Sequence, residues 1–173
     1  MFEETLVEFD KIEQSQNDIF DIIIIGAGPA GLSAALCAGR ANLKILLIEK
    51  TLPGGEASTA CLIDNYLGFP GGILGEDLAK RMEDHVKNYN VNYTCETVED
   101  ILNIRNEIKT IKTDLGNTYK GKSIILAIGL EPKMLGTNFE KSFLGRGISY
   151  YAKGDAKFYK DKDVALIGGG NCA

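Results

Sequence analysis

The alternation of apolar and polar positions divides the chain into short, sharply bounded elements. Residues 20–25 form a β-branched apolar run, interrupted only by Asp21 and stopped by glycine. Its length and composition predict a strand buried on both faces, as in a parallel sheet. Residues 26–31 are a glycine-rich turn, and residues 32–41, rich in alanine and leucine, predict a helix. Residues 44–48 predict the next strand, which ends at Glu49. Together these segments make one β-α-β unit. Residues 51–75 carry several glycines and two prolines and predict a long loop, of the kind that serves function in a compact domain. Residues 76–89 place Leu78, Met82 and Val86 on one face of an amphipathic helix. From 91 to 119, short strands separated by polar turns predict an antiparallel meander, and 123–127 predict another short buried strand. Residues 164–167 predict a last strand, followed at once by Gly168, Gly169 and Gly170. The fold class is therefore α/β, with a parallel sheet, a β-meander insert and helices on its faces.

Composition adds little to this picture, and charge adds more. The chain has 173 residues, 45% apolar and 25% charged, which is ordinary for a globular protein able to bury a core. The formal charge of −5 is concentrated in the leader, where Glu3, Glu4, Glu8, Asp10, Glu13 and Asp18 face only Lys11. The rest of the chain is balanced. This distribution carries no electrostatic footprint for nucleic acid, and an anionic membrane surface would repel the leader. Leu6, Phe9 and Ile12 have helical spacing, so the leader is either a short surface helix or a mobile arm, and a partner-binding role for it stays open. No apolar run reaches the length of a membrane span, and the leader lacks the basic start of a signal peptide. A cytoplasmic location is expected. Cys37, Cys61, Cys95 and Cys172 form no C-x-x-C pair, and a single histidine, His85, makes no zinc constellation, so no metal is expected. Cys37 is expected in the core, and Cys61 as a small residue packed in the long loop. His85 is expected on a solvated helix face.

Gly26-Ala27-Gly28-Pro29-Ala30-Gly31 fits G-x-G-x-x-G between a strand and a helix, and Glu49 follows Gly31 by eighteen residues. Each part has a task in holding a dinucleotide. Gly26 permits the tight turn, Gly28 leaves the backbone open to a pyrophosphate, and Gly31 lets the helix approach the sheet. The helix N-terminus supplies unpaired N–H groups, and Glu49 can accept ribose hydroxyls. Gly168, Gly170 and Ala173 fit the G-x-G-x-x-A variant and would begin a second such site. The chain stops on the first turn of the helix that this motif would open, so a truncated nucleotide motif is expected there, with a plain glycine-rich tail as the alternative.

Two motifs in this order, about 140 residues apart, suggest flavoproteins with two dinucleotide-binding domains. Gly39-Arg40-Ala41-Asn42-Leu43, Pro53-Gly54-Gly55-Glu56 and Ile63-Asp64-Asn65-Tyr66-Leu67-Gly68-Phe69-Pro70 resemble bacterial thioredoxin reductases. So do Ala127-Ile128-Gly129 and Gly145-Arg146-Gly147-Ile148-Ser149-Tyr150. Residues 1–18 are the acidic leader, and the resemblance implies the N-terminal part of an FAD-binding Rossmann-like domain at 19–133 and a linker with the truncated start of an NAD(P)-binding domain at 134–173. It also implies that Gly26, Gly28, Pro29, Ala30 and Gly31 hold the FAD pyrophosphate. Glu49, Lys50, Gly54, Gly55 and Glu56 would line the adenosine and flavin side, and Asn65 would approach the isoalloxazine. Ala127 and Gly129 would close over the cofactor, and Gly168 and Gly170 would face NAD(P)H. An intact member is expected to be a homodimer that passes hydride from NAD(P)H to flavin and on to an acceptor.

The departures from the family pattern bear on that acceptor. Where the family carries Cys-Ala-Thr-Cys-Asp, this chain has Tyr151-Ala152-Lys153-Gly154-Asp155, so both thiols are absent. Disulfide exchange needs a thiolate and a partner sulfur, and no catalytic residue is assigned. Glu56 stands for the usual glutamine and Leu67 for a usual proline. Tyr150 and Tyr151 could stack near a flavin or fill an interdomain seam. The chain is expected to be an FAD-dependent NAD(P)H oxidoreductase acting on a small redox acceptor, a ferredoxin or a thioredoxin-like protein. The alternatives are ferredoxin–NADP reductase-like electron transfer and a truncated, non-catalytic FAD-binding fragment.

Overall fold

The computed structural model describes residues 18–131, 133–150 and 152–169. The expectations for the leader 1–17, Tyr151, Gly170 and Cys172 lie outside these residues. The chain divides into two compact units, one ending at Gly129 and one starting at Leu130.

The first unit is built on one six-stranded sheet. Strands β1 (Ile19–Ile25), β2 (Ile45–Glu49), β3 (Val91–Cys95), β4 (Val98–Leu102), β5 (Lys109–Thr113) and β6 (Thr118–Leu126) lie in the order β3-β2-β1-β6-β5-β4. β3, β2, β1 and β6 are parallel, with Ile22 opposite Ile45 and Ile24 opposite Ile125. β4, β5 and the first half of β6 are antiparallel. The meander therefore starts at Val98 rather than at residue 91, because β3 pairs with β2. Its last strand is also the fourth parallel strand, so the two strands expected near 119 and 123–127 are one. That strand is not buried throughout: Leu126 is 61% exposed.

Period-two alternation in β1 and β2 separates the core into two layers. Ile24, Ile45 and Leu47 face helices α1 (Pro29–Arg40) and α2 (Gly75–Lys87), meeting Leu32, Ala35, Ala38 and Val86. Ile23, Ile25, Leu46 and Ile48 face the other way and pack with Phe20, Ile111 and Tyr119. Both long helices thus cover one face, and meander side chains cover the other. Each fully buried isoleucine or leucine contributes about 1.5–3 kcal/mol, so the two layers hold the turn between β1 and α1 rigidly.

Helix phase decides the cysteine in α1. Leu32, Ala35 and Ala38 form the buried stripe, so Cys37 projects with Ser33 and Arg40 from the solvent side. The core expectation for Cys37 is corrected on that ground. Cys61 is also exposed rather than packed in its loop. His85 lies on the exposed side of α2.

The second unit holds two four-residue helices, α3 (Glu140–Phe143) and α4 (Ala152–Asp155), and a 3-10 turn at Ala156–Tyr159. Buried Glu140 accepts hydrogen bonds from the amides of Leu135 (2.9 Å), Gly136 (2.8 Å) and Thr137 (3.2 Å), and from the Tyr150 hydroxyl. Tyr150 is thereby tied to its own unit. Residues 164–167 form no strand. Val164, Leu166 and Ile167 are 68–70% exposed, and no neighbouring strand among the described residues supplies hydrogen-bond partners.

Candidate functional site

The site lies where β1 gives way to α1. Gly26 leaves the strand at φ +101°, a left-handed conformation costly for any residue with a side chain. Its N–H donates to Ile48 O at 2.8 Å, and a Cβ here would fall 2.3 Å from Ala127 O. Gly31 is set by close approach. A Cβ on it would fall 1.8 Å from Gly26 O, so only glycine lets α1 start against the turn. Gly28 differs from both. The nearest heavy atom to a Cβ there is Gly55 Cα at 3.9 Å, so the space beside it is open.

Helix α1 begins with Pro29, and its first i→i−4 bond is Leu32 N to Gly28 O at 2.9 Å. Ala30 and Gly31 precede that bond, and no side chain caps the helix. Their N–H groups and the helix dipole form an anion-facing end on rigid backbone. Glu49 stands beside it at the end of β2 and is 8% exposed. Its Oε2 accepts from Ala27 N at 2.6 Å, and its Oε1 accepts from Thr51 N at 3.1 Å and Thr51 Oγ1 at 3.3 Å. The carboxylate is oriented by the turn itself and still has lone-pair capacity for further donors.

The long loop is anchored to this turn rather than free of it. Gly54 N donates to Ala27 O at 2.8 Å, and a 3-10 turn follows at Gly55–Thr59. Ile63 and Ile73 bridge across the rest of the loop, and Gly75 N donates to Ala60 O at 2.9 Å. This brings Gly54 and Gly55 to the glycine turn. Lys50 and Glu56 are exposed at the loop's start, and Asn65 is exposed beyond Ile63. Ala127 joins the group from the end of β6, its N–H bonded to Ile25 O at 2.8 Å, and Gly129 follows exposed. An open Gly28, an uncapped helix end and an oriented acid are the parts that a bound FAD needs, so the residues present fit that cofactor.

The second motif is different. Gly168 is exposed with φ +114° and residues 164–167 are not in a strand, while the positions of the helix that the motif would open lie outside the described residues. No group of three or more metal-binding side chains occurs among the described residues, and no helix there is long and apolar enough to cross a membrane.

Two participants were not singled out in the sequence. Ala27 is the backbone hub that joins Glu49 to Gly54. Thr51 braces Glu49, and an acid followed two residues later by threonine is a local signal that could have revealed it.

The chain is similar to known proteins in sequence and in fold. The family described as pyridine nucleotide-disulphide oxidoreductase matches residues 20–173. The chain is 40% identical to the thioredoxin reductase of Bacillus subtilis over 159 residues, covering 92% of this chain and 49% of that protein. Among solved structures it resembles Lactococcus lactis thioredoxin reductase in its FR conformation. That match has a TM-score of 0.73 and 34% identity, covering 81% of this chain and 45% of the other. It also resembles a ferredoxin-flavin thioredoxin reductase from Clostridium acetobutylicum, with a TM-score of 0.60 and 34% identity, covering 82% and 48%. The chain spans about half the length of the curated relatives it matches.

Proposed function

Because the chain belongs to the pyridine nucleotide-disulphide oxidoreductase family, we propose that its first unit binds FAD across the 26–31 turn and serves an FAD-dependent NAD(P)H oxidoreductase of the thioredoxin-reductase type. The observation that carries this reading is the pairing of an open Gly28 with a carboxylate fixed on the same turn by the 2.6 Å bond from Ala27 to Glu49. The pyrophosphate would lie against Gly28 and the free N–H groups of Ala30 and Gly31, beside Pro29 and with Gly26 setting the turn. Glu49 would accept the ribose hydroxyls. Lys50, Gly54, Gly55 and Glu56 would line the adenosine and flavin side, Asn65 would approach the isoalloxazine, and Ala127 and Gly129 would close over the cofactor. Bound FAD supplies hydride acceptance and onward electron transfer, while the protein sets its position and surroundings.

The reductant we assign is NAD(P)H, with Gly168 and Gly170 as its first contacts. The acceptor is constrained by Tyr151 and Gly154, which offer no sulfur where the family places its thiols. Electrons would therefore leave the flavin for a small redox acceptor or a partner protein that brings its own redox centre. The same substitution favours a second reading, electron exchange with a ferredoxin. A thioredoxin-like partner would need a thiolate from elsewhere. The cytoplasm, where NAD(P)H is available, is the proposed compartment.

The test is flavin content. The purified chain, given added FAD and then desalted, should retain near-stoichiometric flavin by absorbance, and NADPH oxidation can then be tried with several acceptors. A chain that stays colourless after added FAD would overturn the reading.

A further inference from the structure

Away from the glycine turn, one carboxylate is buried in a knot of donors. Glu96 is 7% exposed and follows the last residue of β3. Its Oε1 accepts from Thr94 Oγ1 at 2.7 Å, Tyr119 OH at 2.5 Å and Asn117 Nδ2 at 3.1 Å. Its Oε2 accepts from Thr113 Oγ1 at 2.5 Å. These donors come from β3, from β5, from the turn after β5 and from β6. Four donors on one carboxylate match the acceptor capacity of the ionised form, whereas a neutral acid or amide there would bring protons of its own into a shell of donors.

The backbone of the same residue reaches the cofactor side. Glu96 N donates to Glu49 O at 2.9 Å, which extends the pairing of Glu49 with Cys95 by one bond. Beside it, Cys95 Sγ and Tyr93 OH each reach Thr51 O at 3.3 Å. The end of β2 that carries Glu49 and Thr51 is thus held from β3. Tyr119 lies in β6, and Ala127, just past the far end of that strand, donates its N–H to Ile25 O beside Gly26 at 2.8 Å.

We infer that Glu96 is a positioning residue for the dinucleotide site, an ionised clamp that fixes the end of β2 against the meander and so sets Glu49 beside Ala27. The inference rests on the FAD reading above for its functional consequence. Its structural part stands on the knot alone.

The test uses the intact chain at pH 7.5, with FAD affinity from flavin fluorescence and amide exchange followed at single residues. Glu96→Gln should weaken FAD on the order of tenfold. It should also speed exchange at Ala27 and Glu96 while the inner amides Ile23, Ile24 and Leu47 keep their protection. A residue that only supports the fold would instead lower protection everywhere and leave the affinity of the folded molecules unchanged. Should Glu96→Gln fail to fold, Thr113→Val, which keeps the charge and removes one donor, should show the same pattern in weaker form. Wild-type FAD affinity together with wild-type exchange at Ala27 in a folded variant would overturn the inference. If the wild-type chain takes up no FAD, the proposed function fails, and exchange at Ala27 in the variant still decides the clamp: faster exchange supports it and unchanged exchange sinks it.

Discussion

Replacing Gly31 with alanine adds one methyl group at the tightest point of the site. Its Cβ would sit 1.8 Å from Gly26 O and 2.9 Å from Gly26 C, with Ala127 Cβ in ordinary contact at 3.4 Å. The first two are backbone atoms, so no change of rotamer relieves the clash, and α1 must move off the turn. Overpacking costs about 1–3 kcal/mol, and a backbone collision this close belongs at the upper end. For a chain of this size, about 3 kcal/mol lowers Tm by roughly 6–12 °C. Because the shift displaces the N–H groups of Ala30 and Gly31, FAD affinity should fall by about a hundredfold as well. The informative partner is Gly28→Ala. No protein atom lies closer than 3.9 Å to its added Cβ, and φ is −70°, so the apo protein should lose less than about 1 kcal/mol. Its FAD affinity should nevertheless drop by about tenfold or more, because the methyl occupies the space kept open for the pyrophosphate. Thermal melts without ligand and fluorescence titrations with FAD separate the two variants. A Gly31→Ala protein with wild-type Tm refutes the packing argument, and a Gly28→Ala protein with wild-type affinity refutes the placement of the site.

Glu49→Ala removes the acceptor of two N–H groups, those of Ala27 and Thr51, and should cost about 1–3 kcal/mol in a melt. FAD titration of the same variant should show at least about a tenfold loss. Acid should act through Glu96. Burial pushes its carboxyl up, but the hydrogen bonds from Thr113, Thr94, Tyr119 and Asn117 outweigh that and hold it below the usual carboxylate range. A carboxyl depressed in the folded state contributes stability above its unfolded value and loses it as pH falls through the folded one. Apo wild type should therefore lose Tm more steeply than Glu96→Gln below about pH 4.5, and parallel curves would contradict the assignment.

Much of the candidate site is legible in the sequence because its determinants are local. A β-branched run, a glycine turn and an alanine-rich segment specify strand, left-handed turn and helix within about twenty residues. Glu49 was found by its spacing from that turn. The departure at Tyr151 and Gly154 needs no coordinates at all, since chemistry without sulfur is a matter of composition. By contrast, Cys37 was misplaced because a short helix rich in alanine has a weak apolar stripe, and its phase is decided by which side meets β1 and β2.

What only the tertiary structure decided depends on groups far apart in the chain. β3 could join the parallel sheet or the meander by pattern alone, and pairing with β2 settled it. The Glu96 knot gathers donors from positions 94, 113, 117 and 119, and no short window contains them. Residues 164–167 have the composition of a strand, yet a strand exists only where a neighbour completes its hydrogen bonds. The sequence by itself determined the local backbone and the chemistry each residue can offer. The folded sheet determined which of those groups meet, because register and burial are properties of paired strands.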